Sequence, residues 1–181
     1  MQTTIILGDG GLGRAVETAL LDRVGARPSG GAVRVLGRPA AGRHDPAQLT
    51  GAGLVVEASH GDAVALNLAA ALEAGCRQFV IATTGWAADR PRVESLLREY
   101  DAAVVSASNF SPGVVLFGRL VEAAVALFGP LEGFDPYLLE WHRRAKRDRP
   151  SGTAVDLAAR IVAGHPRLAR SEERRVGKEC W

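Results

Sequence analysis

Two cysteines in 181 residues, Cys76 and Cys180, are too few and too isolated for a disulfide framework or a zinc site, and a reducing cytoplasm fits. Aromatic residues make up only 6%, so the core has to be built mostly from Ala, Val and Leu. No sign of charge dominates: 22 basic and 20 acidic side chains leave +2, too little on its own to imply a nucleic-acid partner. Long apolar runs are missing too. None reaches the roughly 18 residues of a membrane span, and the best candidate, Gly113–Gly129, is interrupted by Arg119 and Glu122. The first seven residues carry no basic region and run into a glycine-rich turn, so no secretory leader is expected. What is present, 47% hydrophobic and 23% charged residues, is the composition of a folded globular chain. A chain of this size can bury roughly 70% of its unfolded surface, and it needs no metal or disulfide to hold a core.

Apolar runs and glycine punctuation predict alternating strands and helices. Strands are expected at Thr3–Leu7, Ala32–Leu36, Leu54–Ala58, Gln78–Ala82 and Ala102–Ser106. Helices are expected through Leu12, Ala15, Val16, Ala19 and Leu20, from an Asp62 cap to Gly75, and over Asp89–Tyr100. Short, continuously apolar strands separated by helices imply a parallel sheet covered on both faces. After Asn109 the rhythm changes. A long amphipathic helix is expected at Pro112–Phe128, a strand at Pro136–Trp141, a basic segment at His142–Arg149 and a helix from Ser151. The expected division is residues 1–108 as one domain and 109–169 as part of a second.

Gly8, Gly10 and Gly13 follow the first strand and open the first helix with the spacing Gly-x-Gly-x-x-Gly. That spacing in that context is the dinucleotide fingerprint. One glycine makes the turn, one lets a pyrophosphate approach the backbone, and one lets helix and strand pack closely. The free N–H groups of the helix start (Gly11, Leu12, Gly13) then face the phosphates. The second strand ends in Leu36-Gly37-Arg38 with no carboxylate for a ribose hydroxyl, and Arg38 could instead meet a 2′-phosphate. This favours NADPH over NADH. Arg14 could also touch phosphate. Both arginines read almost equally well as solvated surface charge.

The segment Glu140-Trp141-His142-Arg143-Arg144-Ala145-Lys146-Arg147-Asp148-Arg149-Pro150-Ser151-Gly152-Thr153-Ala154 is the most specific part of the chain. It resembles the dihydrodipicolinate reductase signature Glu-x-His-x-x-x-Lys-x-Asp-x-Pro-Ser-Gly-Thr-Ala at every specified position. Three shorter stretches support the resemblance in order: Glu57-Ala58-Ser59-His60, Ile81-Ala82-Thr83-Thr84-Gly85-Trp86 and Asn109-Phe110-Ser111-Pro112-Gly113-Val114. The resemblance runs from Thr3 to about Ala169. It implies a Rossmann-type parallel-sheet domain followed by an incomplete α+β domain for substrate binding and tetramerisation. It implies a cytoplasmic enzyme of diaminopimelate and lysine biosynthesis that reduces a cyclic dicarboxylate imine, 4-hydroxy-tetrahydrodipicolinate, with NADPH or NADH. Neither a membrane nor a metal is implied.

Residue by residue, the resemblance makes His142 the general acid and Lys146 its partner in substrate binding and catalysis. Histidine is the nearby side chain whose ordinary titration range suits proton donation near neutral pH. Arg143, Ser151, Gly152, Thr153 and Thr84 are implied on the substrate, the Ser-Gly-Thr helix start offering hydroxyls and N–H groups to a carboxylate. Ala58, Ser59, Thr83, Thr84, Gly85, Asn109 and Phe110 join the glycine loop and Arg38 on the cofactor. The family often carries a second histidine where this chain has Arg143, and an aspartate where it has Glu57. The same basic segment could suggest nucleic-acid binding, but it is short and has no interleaved aromatics.

Ser171–Cys180 resembles a translated sequencing-adapter read, so residues 170–181 are expected to be a non-native tail and the second domain to be truncated. The alternative to an active reductase is a catalytically impaired fragment that only binds the dinucleotide.

Overall fold

A computed structural model describes residues 3–24, 31–40, 42–142, 144 and 149–170. They fall in two compact units, Met1–Ser108 and Asn109–Trp181.

The first unit is an α/β layer structure. Its strands are β1 (Thr3–Leu7), β2 (Val33–Leu36), β3 (Ala52–Glu57), β4 (Gln78–Ile81) and β5 (Ala103–Ser106). Its helices are α1 (Gly11–Val24), α2 (Val64–Glu73) and α3 (Arg90–Glu99). The five strands form one parallel sheet in the order β2-β1-β3-β4-β5. Side chains alternate across it, as the pleat requires. Ile5, Leu7, Val55, Phe79 and Ile81 point to one face, where Leu68 of α2 and Val93 and Leu97 of α3 close over them. Ile6 and Val56 point to the other, against Val16 and Leu20 of α1. Because both faces are covered, β1 and β3 carry apolar residues in unbroken runs, and this made them legible as strands.

Boundaries differ by a residue or two from those expected, and one cap differs in kind. Asp62 does not cap α2. It lies in a single 3₁₀ turn, Gly61–Ala63, whose Ala63 N–H donates to His60 O (3.0 Å), and α2 starts behind it without a side-chain cap. The chain already winds helically from Gly61, which leaves His60 and not Asp62 at the extended backbone position a cap occupies.

In the second unit α4 (Pro112–Phe128) has the bounds its periodicity indicates. α5 (Gly152–Gly164) is capped by Ser151, whose Oγ accepts from Ala154 N at 3.1 Å. The two helices pack together at Gly118, where a Cβ would lie 3.4 Å from the Arg160 guanidinium. Arg160 is in turn held by Glu122 and by Asp156 (2.8 Å). The expected strand at Pro136–Trp141 is not formed. A strand needs a hydrogen-bonded neighbour, and among the described residues of this unit there is none; Tyr137, Leu139 and Trp141 are exposed. No described helix is long and apolar enough to cross a membrane.

Leu68 is fully buried between α2 and the sheet. Leu68→Ala is expected to lower the stability of the first unit by about 2–5 kcal/mol, measured as a shift in urea midpoint at constant m-value.

Candidate active site

The sheet order reverses between β1 and β3, which share a long register but continue to opposite edges. In open α/β sheets the crevice beyond the carboxyl ends of such a strand pair is where ligands bind. Here the crevice is walled by close backbone approaches. Gly8 has φ +115°, and a Cβ on it would sit 2.4 Å from Ala58 O. A Cβ on Gly13 would sit 1.9 Å from Gly8 O, so no other residue lets α1 start this close to the end of β1. Gly10 and Gly11 are the opposite case: a Cβ on either would meet nothing within 4 Å. Two glycines close the turn, and two face open space in front of the start of α1. This arrangement fits a dinucleotide pyrophosphate.

Around this loop the structure gathers the residues expected on the cofactor in the first unit. Leu12 is exposed beside it. Arg38 is exposed just past β2, while Arg14 pairs with Glu17 at 3.0 Å, one helical turn along α1. Ala58 and Ser59 follow β3, and Thr83, Thr84 and Gly85 follow β4. The two loops touch: a Cβ on Gly61 would lie 2.6 Å from Gly85 O.

The hydroxyls of Ser59 and Thr83 are turned inward rather than toward the crevice. Both donate to Glu57, Thr83 from 3.2 Å, and the Ser59 N–H donates to the same carboxylate at 2.9 Å. Asn67 Nδ2 on α2 donates to its other oxygen at 2.8 Å. Glu57 is fully buried, and burial pushes its pKa above the usual carboxylate range, outweighing the opposing pull of the hydrogen bonds from Ser59, Asn67 and Thr83. Asn67 Oδ1 is buried with no partner. In the sequence Glu57 shows only as a departure from an aspartate. Its role as the hub of two loops depends on Asn67 and Thr83, which are remote in the chain.

The second unit carries its own cluster. Glu140 Oε1 accepts from Ser151 N (3.0 Å), and Glu140 Oε2 lies 2.7 Å from His142 Nε2. The hydrogen bond from Ser151 holds the Glu140 carboxyl below the usual range against the opposing effect of burial, with a smaller pull from His142. Glu140 thus fixes one nitrogen of the imidazole and ties it to the start of α5. The N–H groups of Gly152 and Thr153 lie in the first turn, where they have no intrahelical acceptor, at the positive end of the helix dipole. Asn109 and Phe110 open this unit, with Asn109 Oδ1 accepting from Ser111 N (2.8 Å). Lys146 and Arg143 lie outside the described residues, as do residues 171–181.

Comparison with known proteins agrees with both halves. Residues 113–179 match the family model for the dihydrodipicolinate reductase C-terminus, a match that includes most of the segment expected to be a non-native tail. Curated 4-hydroxy-tetrahydrodipicolinate reductases align over most of the chain. The one from Chromobacterium violaceum is 33% identical over 177 residues, covering 89% of this chain and 65% of the relative. The one from Gluconobacter oxydans is 31% identical over 159 residues, covering 87% and 62%. The chain belongs to the dihydrodipicolinate reductase family. A solved structure, the dipicolinate-bound dihydrodipicolinate reductase from Paenisporosarcina sp. TG-14, shares the fold with a TM-score of 0.65 at 21% identity, covering all of this chain and 72% of that one. The chain spans 37% of the length of a further curated relative, from Christiangramia forsetii, and under two thirds of the two above.

The raised Glu57 pKa has a definite pH consequence. Between the ordinary value of 4.5 and the raised folded value, the native state holds a proton that the unfolded chain has released. Stability associated with Glu57 is therefore fully present below that ordinary value and lost as pH rises through the folded one. Urea midpoints of the wild type should fall across this window, and Glu57→Gln should flatten the slope. An equal slope in both proteins would place the titration elsewhere.

Proposed function

We propose that the chain carries the dinucleotide-binding and substrate-side elements of a reductase acting on a cyclic dicarboxylate imine. The reaction is the conversion of 4-hydroxy-tetrahydrodipicolinate to tetrahydrodipicolinate with NADPH or NADH, the 4-hydroxyl leaving as water and the ring taking up a hydride and a proton, in the cytoplasmic route to diaminopimelate and lysine. The observation that carries this reading is the Glu140–His142–Ser151 cluster inside the family's signature segment. The first unit is read as the dinucleotide domain. The second is read as part of the substrate and oligomerisation domain of a family member that is tetrameric when intact.

Bound reduced nicotinamide supplies the hydride; the chain supplies orientation and a proton. His142 is the proton donor. Glu140 holds its Nε2, leaving Nδ1 as the nitrogen free to face substrate. Ser151 spends its N–H on Glu140 and accepts at Oγ from Ala154, so it shapes the site. The Gly152 and Thr153 N–H groups and the Thr153 hydroxyl then take a substrate carboxylate, joined by the charges of Lys146 and Arg143. At the sheet, the glycine loop, Ala58 and Gly85 contact the cofactor with their backbones. Ser59 and Thr83 shape the loops, Thr84 lies on the nicotinamide side, and Asn109 and Phe110 complete the cofactor set.

A second reading, a fragment that binds the dinucleotide without efficient turnover, is favoured by one observation. Leu116, Leu120 and Leu127 leave an apolar face of α4 exposed.

One pair of measurements separates the two readings. Dinucleotide binding by nicotinamide fluorescence, together with turnover of the imine, supports the reductase; binding without turnover supports the fragment. Where turnover is seen, His142→Ala should lower it by about 10²–10⁴ and leave the dinucleotide Kd within error. An unchanged rate would remove His142 as the proton donor.

A further inference from the structure

In dinucleotide sites of this topology an acid near the end of the second strand accepts from the adenosine ribose 2′-hydroxyl. The end of β2 lacks one, reading Leu36-Gly37-Arg38. The space beside Gly37 is nevertheless filled by a carboxyl. A Cβ built on Gly37 would lie 2.8 Å from Asp9 Oδ2, 3.1 Å from its Cγ and 3.5 Å from its Oδ1. Asp9 comes from the neighbouring strand end, between Gly8 and Gly10 of the loop in front of α1. It stands where an acidic side chain at position 37 would begin. Its position is set by backbone, since Gly8 N donates to Leu36 O at 2.8 Å and β1 pairs with β2 up to Leu7 and Leu36. The Asp9 side chain is exposed and makes no hydrogen bond or ion pair with the described residues. A glycine at 37 is what lets it lie there.

We propose that Asp9 is the ribose acid of this site and that it selects NADH over NADPH. An ionised carboxylate only accepts hydrogen bonds, and a ribose 2′-hydroxyl has a proton to donate. A 2′-phosphate brings about −1.5 to −2 charge in place of that donor, so the same carboxylate rejects it by like-charge repulsion. Arg38 follows Gly37 in the chain, and the preference that Arg38 alone suggests is reversed. The inference rests on the reading of the glycine loop as a nicotinamide dinucleotide site.

The test is titration of the full 181-residue chain with NADH and with NADPH, followed by nicotinamide fluorescence. The wild type is expected to bind NADH about tenfold or more tightly than NADPH. Asp9→Ala and the isosteric Asp9→Asn should both shrink or invert that ratio, weakening NADH and tightening NADPH. Adding Gly37→Glu to Asp9→Ala returns an acid to the same place and should restore the NADH preference. A merely structural role for Asp9 would shift both affinities together and leave the ratio alone. Tighter binding of NADPH by the wild type, or an unchanged ratio in Asp9→Ala, overturns the proposal. Binding of neither dinucleotide by the wild type overturns the site itself, a failure distinct from loss of selectivity.

Discussion

The ends of β1 and β3 meet with almost no room between backbones, and the rest of the first unit is arranged around that contact. A side chain at position 8 would strike the Ala58 carbonyl, and one at 13 would strike the carbonyl of Gly8. Glycine at both positions brings α1 in tightly over Ile6 and Val56 and leaves its first-turn N–H groups at the point where the sheet order reverses. The crevice, its positive character and its backbone lining therefore share one origin, the missing Cβ atoms of two residues.

Two carboxylates at this end of the sheet show how environment divides roles between like groups. Glu57 is sealed under the loops after β3 and β4. Its surroundings are hydroxyl, amide and backbone donors, and desolvation raises its pKa. It can only organise its neighbours. Asp9 is one strand away and exposed, and no donor among the described residues is bonded to it. A group in that state is available to a ligand. A third carboxylate, Glu140 in the second unit, is held ionised by the Ser151 N–H and orients an imidazole. The residue type is nearly constant across the three, and the count and kind of donors around each separates a brace, a ligand acceptor and a histidine anchor.

Much of the architecture was legible beforehand. β1 and α4 have the bounds their apolar patterns indicate, because a doubly covered strand and an amphipathic helix write their burial directly into local periodicity. The glycine spacing marked the crevice for the same reason. Two readings needed correction. Pro136–Trp141 has the apolar content of a strand but no neighbour to pair with. Asp62 has the residue type of a cap, but a 3₁₀ turn starts the helical winding at Gly61 and places Asp62 inside it. Ser59 and Thr83, expected on the cofactor, bond through their hydroxyls to Glu57, a partnership no local pattern signals.

By itself the sequence determined what depends on neighbours along the chain: the alternation of strands and helices, the glycine turn, the helix from Ser151 and the signature segment that places the chain in its family. These features are read within one turn or one strand of each residue, so spacing alone carries them. Only the tertiary structure decided which carboxylate faces water and which is sealed, and that Asp9 stands beside Gly37 in place of an acid on β2. The physical reason is register. Parallel pairing of β1 with β2 and β3 aligns strand ends distant in the chain, Leu7 with Leu36 and Leu7 with Glu57, and no local pattern encodes which side chains that alignment brings together.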